Sequence, residues 1–290
     1  MTLEKESPCK VNLLLNVLGK RPDGFHELET IMHPVSVCDR LTLCQTGQGL
    51  EMTCSEATLP TDSRNLAYRA AEFFLQAAHI RQGVRLHLEK RIPAAAGLGG
   101  GSSDAATTLL GLNELFGGPL GPGALHSLAA RCGSDVPFFL RSTPALATGR
   151  GEQIEALEAF PALEGTAFLL IHPCFGIATP WAYRQLARFP EALHGRPSRA
   201  RKLLALLQKA DLKCAGAEFY NSLEAPVLEK YPILALYQEF LRANGAPVAL
   251  MSGSGSTTFA VLESPAAAQA LAEKFKARFG PALWVAVVPV

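Results

Sequence analysis

The sequence has almost no net charge and no long run of like charges. Its 27 lysine and arginine residues nearly balance 26 aspartate and glutamate residues, which leaves a formal net charge of +1. A nucleic-acid-binding protein normally carries a basic stripe, so we expect no nucleic-acid partner. An acidic small molecule is not excluded, because backbone N–H groups and one or two local cations are enough to hold a phosphate.

The sequence also lacks a long hydrophobic run. No stretch approaches the roughly 20 apolar residues that a membrane-spanning helix needs. The acidic residues Glu4 and Glu6 precede a short apolar stretch that Asn12 and Asn16 interrupt, and this is not the pattern of a signal peptide. We therefore expect no membrane partner.

Paired cysteine motifs are absent. The seven cysteines are scattered, and none stands in a C-x-x-C motif. An odd number without paired spacing argues against a disulfide framework or a zinc site and fits a reducing compartment. Together with the preceding observations, this predicts a soluble cytoplasmic protein. The sequence does not determine its oligomeric state.

What the sequence has in quantity is apolar residues in alternating strand and helix patterns. Of the 290 residues, 48% are hydrophobic and 18% are charged, enough for a sizeable core. The order of the patterns indicates an α/β or α+β protein. We expect strands around residues 35–37 and 41–43, a helix over residues 66–78 capped by Asp62 or Ser63, and two or three helices between residues 180 and 244. Residues 158–165 resemble a domain junction, which predicts an N-terminal domain over residues 1–160 and a C-terminal domain over residues 161–290.

A glycine-rich segment joins a predicted strand to a predicted helix. Val84, Leu86 and Leu88 alternate with polar residues, the period of a strand with one buried face, and Pro93 ends the pattern. Apolar residues recur at helical spacing from about residue 104 to residue 116. The loop between them, residues 97–103, contains Gly97, Gly99, Gly100 and Gly101, followed by Ser102 and Ser103.

This order of strand, loop and helix predicts a phosphate-binding loop. The N-terminus of a helix exposes unpaired N–H groups and the positive end of the helix dipole. Glycines let a phosphate approach the backbone, and the serine hydroxyls add donors. A tight turn that serves only the chain geometry is the alternative, but four glycines in five positions exceed what a turn requires.

Three familiar phosphate loops do not match. A Walker A loop needs Gly-Lys-Ser/Thr, and no lysine follows Gly101. A Rossmann fingerprint needs glycine or alanine at position 102, which is serine, and the His-Arg-Asp and Asp-Phe-Gly motifs of protein kinases are missing. A second loop, residues 252–256, reads SGSGS between two predicted strands. A plain hairpin explains it at least as well as a second set of phosphate donors does.

Asp135 and Lys10 are the candidates for phosphoryl-transfer chemistry. Asp135 stands at the start of an apolar element, where a buried carboxylate would accept a proton; the simpler interpretation is a helix N-cap. Lys10 is a lone cation in an apolar strand, where it faces a phosphate or extends past the strand edge. Phe25 and His26 follow a tight turn and suit a nucleobase, but without further context we interpret them as ordinary loop residues.

Taken together, these segments resemble the GHMP kinase superfamily. Residues 93–106, PAAAGLGGGSSDAA, resemble its ATP loop, and residues 251–256, MSGSGS, resemble its C-terminal glycine motif. Within the superfamily the match narrows to the 4-diphosphocytidyl-2-C-methyl-D-erythritol kinase family. Four further segments resemble motifs of that family: SPCKVNL at 7–13, RPDGFHE at 21–27, DSRNL at 62–66 and GSDVPF at 133–138. The likeness runs from about residue 7 to residue 262.

The resemblance implies ATP-dependent phosphorylation of the 2-hydroxyl of 4-diphosphocytidyl-2-C-methyl-D-erythritol, a step of non-mevalonate isoprenoid biosynthesis, with Mg²⁺ accompanying ATP. By the same resemblance, Asp135 is the base or orients the hydroxyl, and Lys10 steadies the developing alkoxide. Asn65 and Leu66 line the adenosine pocket. The metal ligands stay unassigned. The implied ATP loop consists of Pro93, Ala94, Ala95, Ala96, Gly97, Leu98, Gly99, Gly100, Gly101, Ser102 and Ser103.

The resemblance also implies how the acceptor binds. His26 hydrogen-bonds the cytosine, and Phe25 and Tyr183 stack on it. Phe25 stands where the family usually has tyrosine, which preserves stacking but removes any hydroxyl contact. The other implied acceptor-binding residues are Asn12, Thr179, Gly253 and Gly255.

The implied fold is the two-domain α+β GHMP kinase fold, with a ribosomal-protein-like β-α-β N-terminal domain and a ferredoxin-like C-terminal domain. Three alternatives remain: a homoserine or mevalonate kinase, a diphosphomevalonate decarboxylase, and a non-catalytic nucleotide-binding protein. The pair Phe25 and His26 favours an acceptor that contains a base over homoserine or mevalonate.

Overall fold

The computed structural model describes the whole chain, residues 1–290. It is an α+β structure. The strands are β1 (Thr2–Lys20), β2 (His26–Thr46), β3 (Leu50–Cys54), β4 (Gly83–Glu89), β5 (Ala145–Thr148), β6 (Gln153–Ala156), β7 (Ala167–His172), β8 (Tyr220–Asn221), β9 (Val248–Met251), β10 (Thr258–Leu262) and β11 (Trp284–Pro289). The α-helices are α1 (Leu66–Ala77), α2 (Gly100–Leu115), α3 (Pro122–Cys132), α4 (Val136–Phe139), α5 (Thr179–Gln185), α6 (Pro190–Leu193), α7 (Arg199–Leu207), α8 (Leu212–Gly216), α9 (Glu224–Lys230), α10 (Pro232–Ala243) and α11 (Pro265–Phe279).

The chain divides into two compact units, each built from several segments. The first unit comprises Met1–Cys9, Ser36–Ile92 and Gly99–Ser142. The second comprises Lys10–Val35, Pro93–Leu98 and Thr143–Val290. Strands β1 and β2 contribute residues to both. The linear division between residues 160 and 161 stays a prediction.

In the first unit, the later part of β2 pairs antiparallel with β4, and β3 pairs parallel with β4. Val84, Leu86 and Leu88 are buried, as their alternation predicts. The segments around residues 35–37 and 41–43 are both confirmed as strand, but they belong to one continuous strand, β2, and not to two. Pairing with neighbouring strands carries it through the polar residues that interrupt its apolar pattern.

Helix α1 begins one residue after Asn65. The Asn65 side-chain oxygen accepts a hydrogen bond from the Ala67 N–H at 2.9 Å, so Asn65 is the N-cap. The prediction that Asp62 or Ser63 caps this helix was wrong. The Asp62 carboxylate instead pairs with the Arg64 guanidinium and accepts the Arg64 N–H, which stabilises the turn before the helix.

The second unit contains a four-stranded antiparallel sheet in the order β11-β7-β10-β9. Helices α5 to α10 follow β7, and α11 connects β10 to β11. This β-α-β-β-α-β sequence of elements is the ferredoxin-like arrangement. Leu234 and Leu241 of α10 and Phe275 of α11 are buried in the core with the inner face of the sheet.

The region between residues 180 and 244 holds more helices than predicted. Six short helices, α5 to α10, replace the expected two or three. Pro180, Pro190 and Pro232 stand in the first turn of α5, α6 and α10, where a proline favours the start of a new helix over continuation of the preceding one. No helix in the structure is both long enough and apolar enough to cross a membrane.

Candidate active site

The second half of the first glycine-rich loop forms the start of α2. Gly99 is the N-cap in the left-handed conformation (φ 73°), and its carbonyl accepts the Ser103 N–H at 2.9 Å. The sequence places the start of α2 near residue 104, and the structure places it at Gly100. The N–H groups of the first helical turn lack partners within the helix. Residues 100–102 therefore present donors to an anion.

A buried charged cluster lies beneath this turn, and the sequence analysis missed it. The Lys90 ammonium donates to the carboxylates of Asp39 and, at 3.0 Å, of Asp104. Asp39 also accepts the N–H groups of Arg91 (2.6 Å) and Ile92 (2.9 Å), which fixes the chain entering the loop. In the sequence, the one feature that could have indicated this cluster is that both aspartates interrupt apolar patterns. Only the fold shows that they share a lysine.

Burial and the two neighbouring charges of this cluster do not all act in the same direction on the pKa of Asp104. Burial raises the pKa of Asp104 to about 7, Lys90 lowers it, and Asp39 raises it. A Cβ atom at Gly100 would lie 3.3 Å from the Lys90 Nζ atom. A side chain at Gly100 would therefore crowd the cluster, which explains why glycine opens this helix.

The predicted adenosine-pocket residues lie next to the same helix turn. Asn65 caps α1, which packs against α2. The Leu66 Cδ1 atom would lie 3.8 Å from a Cβ atom at Gly101. The structure thus brings Leu66 beside the first turn of α2, and both belong to the first unit.

Asp135 is half-buried at the position before α4. Its backbone is in the right-handed helical region, and its side chain makes no capping hydrogen bond to α4. Pro137, two residues on, removes one N–H that a cap would satisfy. Asp135 therefore occupies the N-cap position, as the simpler interpretation predicts, but its side chain does not cap the helix.

The first half of the loop belongs to the second unit and is held by backbone hydrogen bonds. The carbonyls of Ala95, Ala96 and Leu98 accept N–H groups from Ile177 (3.4 Å), Thr257 (3.0 Å) and Lys10 (2.9 Å). Three separate parts of the chain thus fix this segment. Pro93 and Ala94 lead into it and make no hydrogen bond that bears on the site.

Lys10 and Asn12 lie on the same face of β1, next to the loop. The Lys10 ammonium donates to the Asn12 side-chain oxygen at 2.5 Å and to the Gly97 carbonyl at 3.3 Å. Lys10 is 3% exposed, so it does not extend past the strand edge. The structure brings together the predicted lysine, asparagine and glycine.

The second glycine-rich loop closes the β9–β10 hairpin and packs against the first loop. The Ser252 hydroxyl donates to the Gly97 carbonyl at 2.9 Å. A Cβ atom at Gly253 would lie 3.0 Å from the Gly97 carbonyl oxygen, so close approach requires glycine there. The hairpin interpretation is confirmed, and the hairpin also contacts the predicted ATP loop.

Other predicted acceptor-binding residues pair within the second unit. The His26 and Tyr183 rings lie 5.1 Å apart between centroids, and the Thr179 and Ser254 hydroxyls are 2.7 Å apart. Burial, with the charge of Lys20, lowers the pKa of His26, which favours the neutral ring at pH 7.

Phe25 has an arginine neighbour that the sequence analysis did not anticipate. The Arg150 guanidinium lies 4.7 Å from the centroid of the Phe25 ring, which is 51% exposed. One face of the ring therefore contacts a cation, and much of the side chain stays accessible.

Two family domains match this chain: GHMP kinases N terminal domain over residues 65–143 and GHMP kinases C terminal over residues 191–281. The 4-diphosphocytidyl-2-C-methyl-D-erythritol kinase of Synechococcus sp. (strain JA-2-3B'a(2-13)) is 43% identical over 88% of this chain and 84% of its own length. The enzyme of the same name from Pelotomaculum thermopropionicum is 39% identical over 95% of this chain and 94% of its own. The chain belongs to the 4-diphosphocytidyl-2-C-methyl-D-erythritol kinase family.

Solved structures agree with this membership. The crystal structure of a 4-(cytidine 5'-diphospho)-2C-methyl-D-erythritol kinase matches with a TM-score of 0.82 and 37% identity, covering 99% of this chain and all of the other. A homoserine kinase from Cytophaga hutchinsonii matches with a TM-score of 0.76 but 19% identity, over 100% of this chain and 94% of its own. That second likeness extends to the fold alone. The two-domain GHMP kinase fold is thus confirmed, and the chain is a kinase of the 4-diphosphocytidyl-2-C-methyl-D-erythritol kinase family.

Proposed function

We propose that this enzyme transfers the γ-phosphoryl group of ATP to the 2-hydroxyl of 4-diphosphocytidyl-2-C-methyl-D-erythritol. The observation that carries the proposal is the buried Lys10, bonded to Asn12 and to the Gly97 carbonyl of the glycine loop. It places a fixed cation beside the segment that the family uses for ATP. The acceptor follows from family membership and has support in the side chains around His26.

The nucleotide phosphates bind along the glycine-rich segment of residues 97–103. The N–H groups of the first turn of α2 and the positive end of its dipole stabilise the negative phosphates. Asn65 and Leu66 take the adenosine. The position of Leu66 beside Gly101 supports the assignment of the adenosine to these two residues.

The cytosine of the acceptor lies against the ring pair of His26 and Tyr183. Because its pKa is lowered, His26 is mainly neutral at pH 7 and offers one ring donor and one ring acceptor. Phe25 supplies a second aromatic surface. Asn12, Thr179, Gly253 and Gly255 contact the rest of the acceptor.

Asp135 accepts the proton of the 2-hydroxyl, directly or through a water that it orients. The hydroxyl oxygen then forms its bond to the γ-phosphorus as the bond to the β–γ bridging oxygen breaks, and ADP leaves. Lys10 stabilises the negative charge that develops on the attacking oxygen. Loss of either side chain lowers the rate of this step more than it lowers binding.

Mg²⁺ bound with ATP would neutralise phosphate charge during transfer. The structure contains no group of three or more His, Cys, Asp or Glu side chains that would hold a metal ion alone. In kinase sites Mg²⁺ is held by few protein groups together with the substrate phosphates and water.

The test is ADP release with ATP and Mg²⁺, comparing the cytidyl substrate with methylerythritol phosphate, mevalonate and homoserine. We expect turnover with the cytidyl substrate alone. Turnover with another acceptor would overturn the acceptor assignment, and CO₂ release with ATP consumption would indicate a decarboxylase. No turnover with any acceptor would favour a nucleotide-binding protein.

The Asp135→Asn variant tests the mechanism separately. It keeps the size of the side chain and removes the base, so we expect ATP binding within about twofold of wild type and a fall in kcat of at least roughly 100-fold. A rate within a few-fold of wild type would contradict the role of Asp135.

A further inference from the structure

The second glycine-rich loop depends on one buried side chain outside it. Asn221, at the end of β8, is 2% exposed. Its side-chain nitrogen donates to the carbonyls of Met251 (2.8 Å) and Gly253 (2.7 Å). These carbonyls flank Ser252, so Asn221 holds the backbone on both sides of that serine.

The orientation of the Asn221 amide is fixed by its third hydrogen bond. Its side-chain oxygen accepts the Leu223 N–H at 2.9 Å. Both N–H donors of the amide are used by the loop, and the oxygen faces a backbone donor. Asparagine meets this demand, whereas aspartate would place a carboxylate oxygen against two carbonyls.

Asn221 is itself anchored to the strand that carries Lys10 and Asn12. Strand β8 pairs in parallel with β1, with Asn221 opposite Leu15. The next residue, Ser222, donates its N–H to the Leu15 carbonyl at 2.8 Å and accepts the Val17 N–H on its hydroxyl at 3.0 Å. The Asn221 amide therefore fixes the loop relative to β1.

The Ser252 hydroxyl connects the loop that Asn221 holds to β1 and to the first glycine-rich loop. Its hydroxyl accepts the Asn12 N–H at 3.4 Å and donates to the Gly97 carbonyl at 2.9 Å. The Gly97 carbonyl in turn accepts from the Lys10 ammonium. A shift of the backbone at residues 251–253 would move the hydroxyl that joins β1 to the first glycine-rich loop.

We propose that Asn221 is a positioning residue for phosphoryl transfer, because its amide fixes the carbonyls on both sides of Ser252 and so holds Gly97 beside Lys10 and Asn12. The kinetic part of this inference rests on the proposed kinase function. The structural part, the ordering of the second glycine-rich loop by Asn221, does not.

The kinetic test uses Asn221→Asp in the full-length enzyme, with Asn244→Asp as the matched control. Asn244 is exposed and donates to one carbonyl, that of Phe240. For Asn221→Asp we expect kcat to fall at least tenfold with the KM for ATP within about threefold, and for the control we expect no change. A kcat within twofold of wild type would overturn the proposal.

A double-mutant cycle with Ser252→Ala separates positioning from general stability. If Asn221 acts through the Ser252 hydroxyl, the double variant is no slower than the slower single variant. Additive losses would contradict the proposal. Should Asn221→Asp fail to fold, Asn221→Ser takes its place, and Ser252→Ala alone must still lower kcat.

Hydrogen exchange supplies a readout that does not need turnover. In Asn221→Asp, we expect faster amide exchange in the peptide covering residues 252–257 and unchanged exchange in α1. If wild type does not turn over the cytidyl substrate, the proposed function fails, while this measurement still decides whether Asn221 orders the loop. Unchanged exchange at residues 252–257 would overturn the inference.

Discussion

Lys10 and Asn12 form a direct side-chain hydrogen bond within one strand. The Lys10 ammonium donates to the Asn12 side-chain oxygen at 2.5 Å, since residues two apart on a strand point to the same face. The Asn12 side-chain nitrogen donates to the Thr30 hydroxyl at 2.9 Å, which fixes the amide with its oxygen toward the lysine. The ammonium is thus held in place before any substrate binds, and this preorganisation suits a group that stabilises developing charge.

Replacing Lys10 by methionine should slow the reaction strongly without unfolding the protein. Methionine keeps much of the apolar stem and removes the charge. We expect kcat to fall by roughly 100- to 1,000-fold, the usual effect of losing one transition-state donor, with the circular dichroism spectrum unchanged. Lys274→Met at an exposed position is the control and should keep wild-type kcat. A Lys10→Met enzyme within tenfold of wild type would exclude Lys10 from the transfer step.

The parts of the site that lie close together in sequence were predictable. The alternation at Val84, Leu86 and Leu88 predicted the strand before the loop, and the glycines predicted a loop that leads into a helix. The start of α2 was not predictable from local preference, because glycine weakens a helix interior. Residues 100–103 are nevertheless helical, since Gly99 takes up the left-handed turn and Gly100 fits against the Lys90 cluster.

The long-range parts were not predictable from one sequence. Asp39 and Asp104 are 65 positions apart, by their residue numbers, and the fold brings both carboxylates to Lys90. Asn221 lies far along the chain from Gly97, and only the pairing of β8 with β1 and the packing of the hairpin bring them into one network. Sequence patterns of period two or 3.6 carry no information about such contacts.

Gly97 and Gly118 allow a matched test of the first loop. Both have a left-handed backbone, with φ of 78° and 77°. A Cβ atom at Gly118 would meet nothing within 4 Å, whereas one at Gly97 would collide with the Ser252 carbonyl oxygen. We expect Gly118→Ala to cost about 1–2 kcal/mol of unfolding free energy from backbone strain alone, with normal kinetics.

Gly97→Ala should cost more and should also impair catalysis. The collision forces the two glycine-rich loops apart, so we expect an extra loss of stability beyond that of Gly118→Ala and a rise of at least roughly tenfold in the KM for ATP. Urea unfolding and steady-state kinetics measure the two effects. Equal behaviour of the two variants would show that the contact between the loops is dispensable.

Glu224 makes the unfolding free energy depend on pH, and a single substitution at this position removes that dependence. Burial raises the pKa of Glu224 from 4.5 to about 7, against the lowering effects of the Met251 N–H, Gln238 and Arg242. One carboxylate oxygen accepts both the Met251 N–H (2.7 Å) and the Gln238 amide (2.6 Å). Glutamine at position 224 retains that oxygen and does not titrate.

The raised pKa determines whether the unfolding free energy rises or falls with pH. Between about pH 4.5 and pH 7 the unfolded chain releases the Glu224 proton while the folded protein keeps it, so this group lowers the unfolding free energy as the pH rises. Relative to wild type, Glu224→Gln should become more stable across this window, by a few kcal/mol in all, and the gap should stay constant above it. Urea unfolding at pH 5, 6, 7 and 8 measures the gap. If the difference in unfolding free energy between Glu224→Gln and wild type did not change with pH, Glu224 would be excluded as the source of the pH dependence.

Phe25 tests the recognition of the acceptor base. Tyrosine at position 25 preserves the ring and its contact with Arg150, so Phe25→Tyr should keep the KM for the cytidyl substrate within about twofold. Leucine removes the stacking surface, and Phe25→Leu should raise that KM by roughly 5- to 100-fold, the range expected for losing one base–aromatic stack. The KM for ATP should not change in either variant, because the proposed function assigns the ring to the acceptor and not to ATP. If Phe25→Leu instead raised the KM for ATP and left that for the cytidyl substrate unchanged, the exposed ring would belong to the nucleotide site. The assignment of Phe25 to the cytosine, beside His26 and Tyr183, would then be wrong.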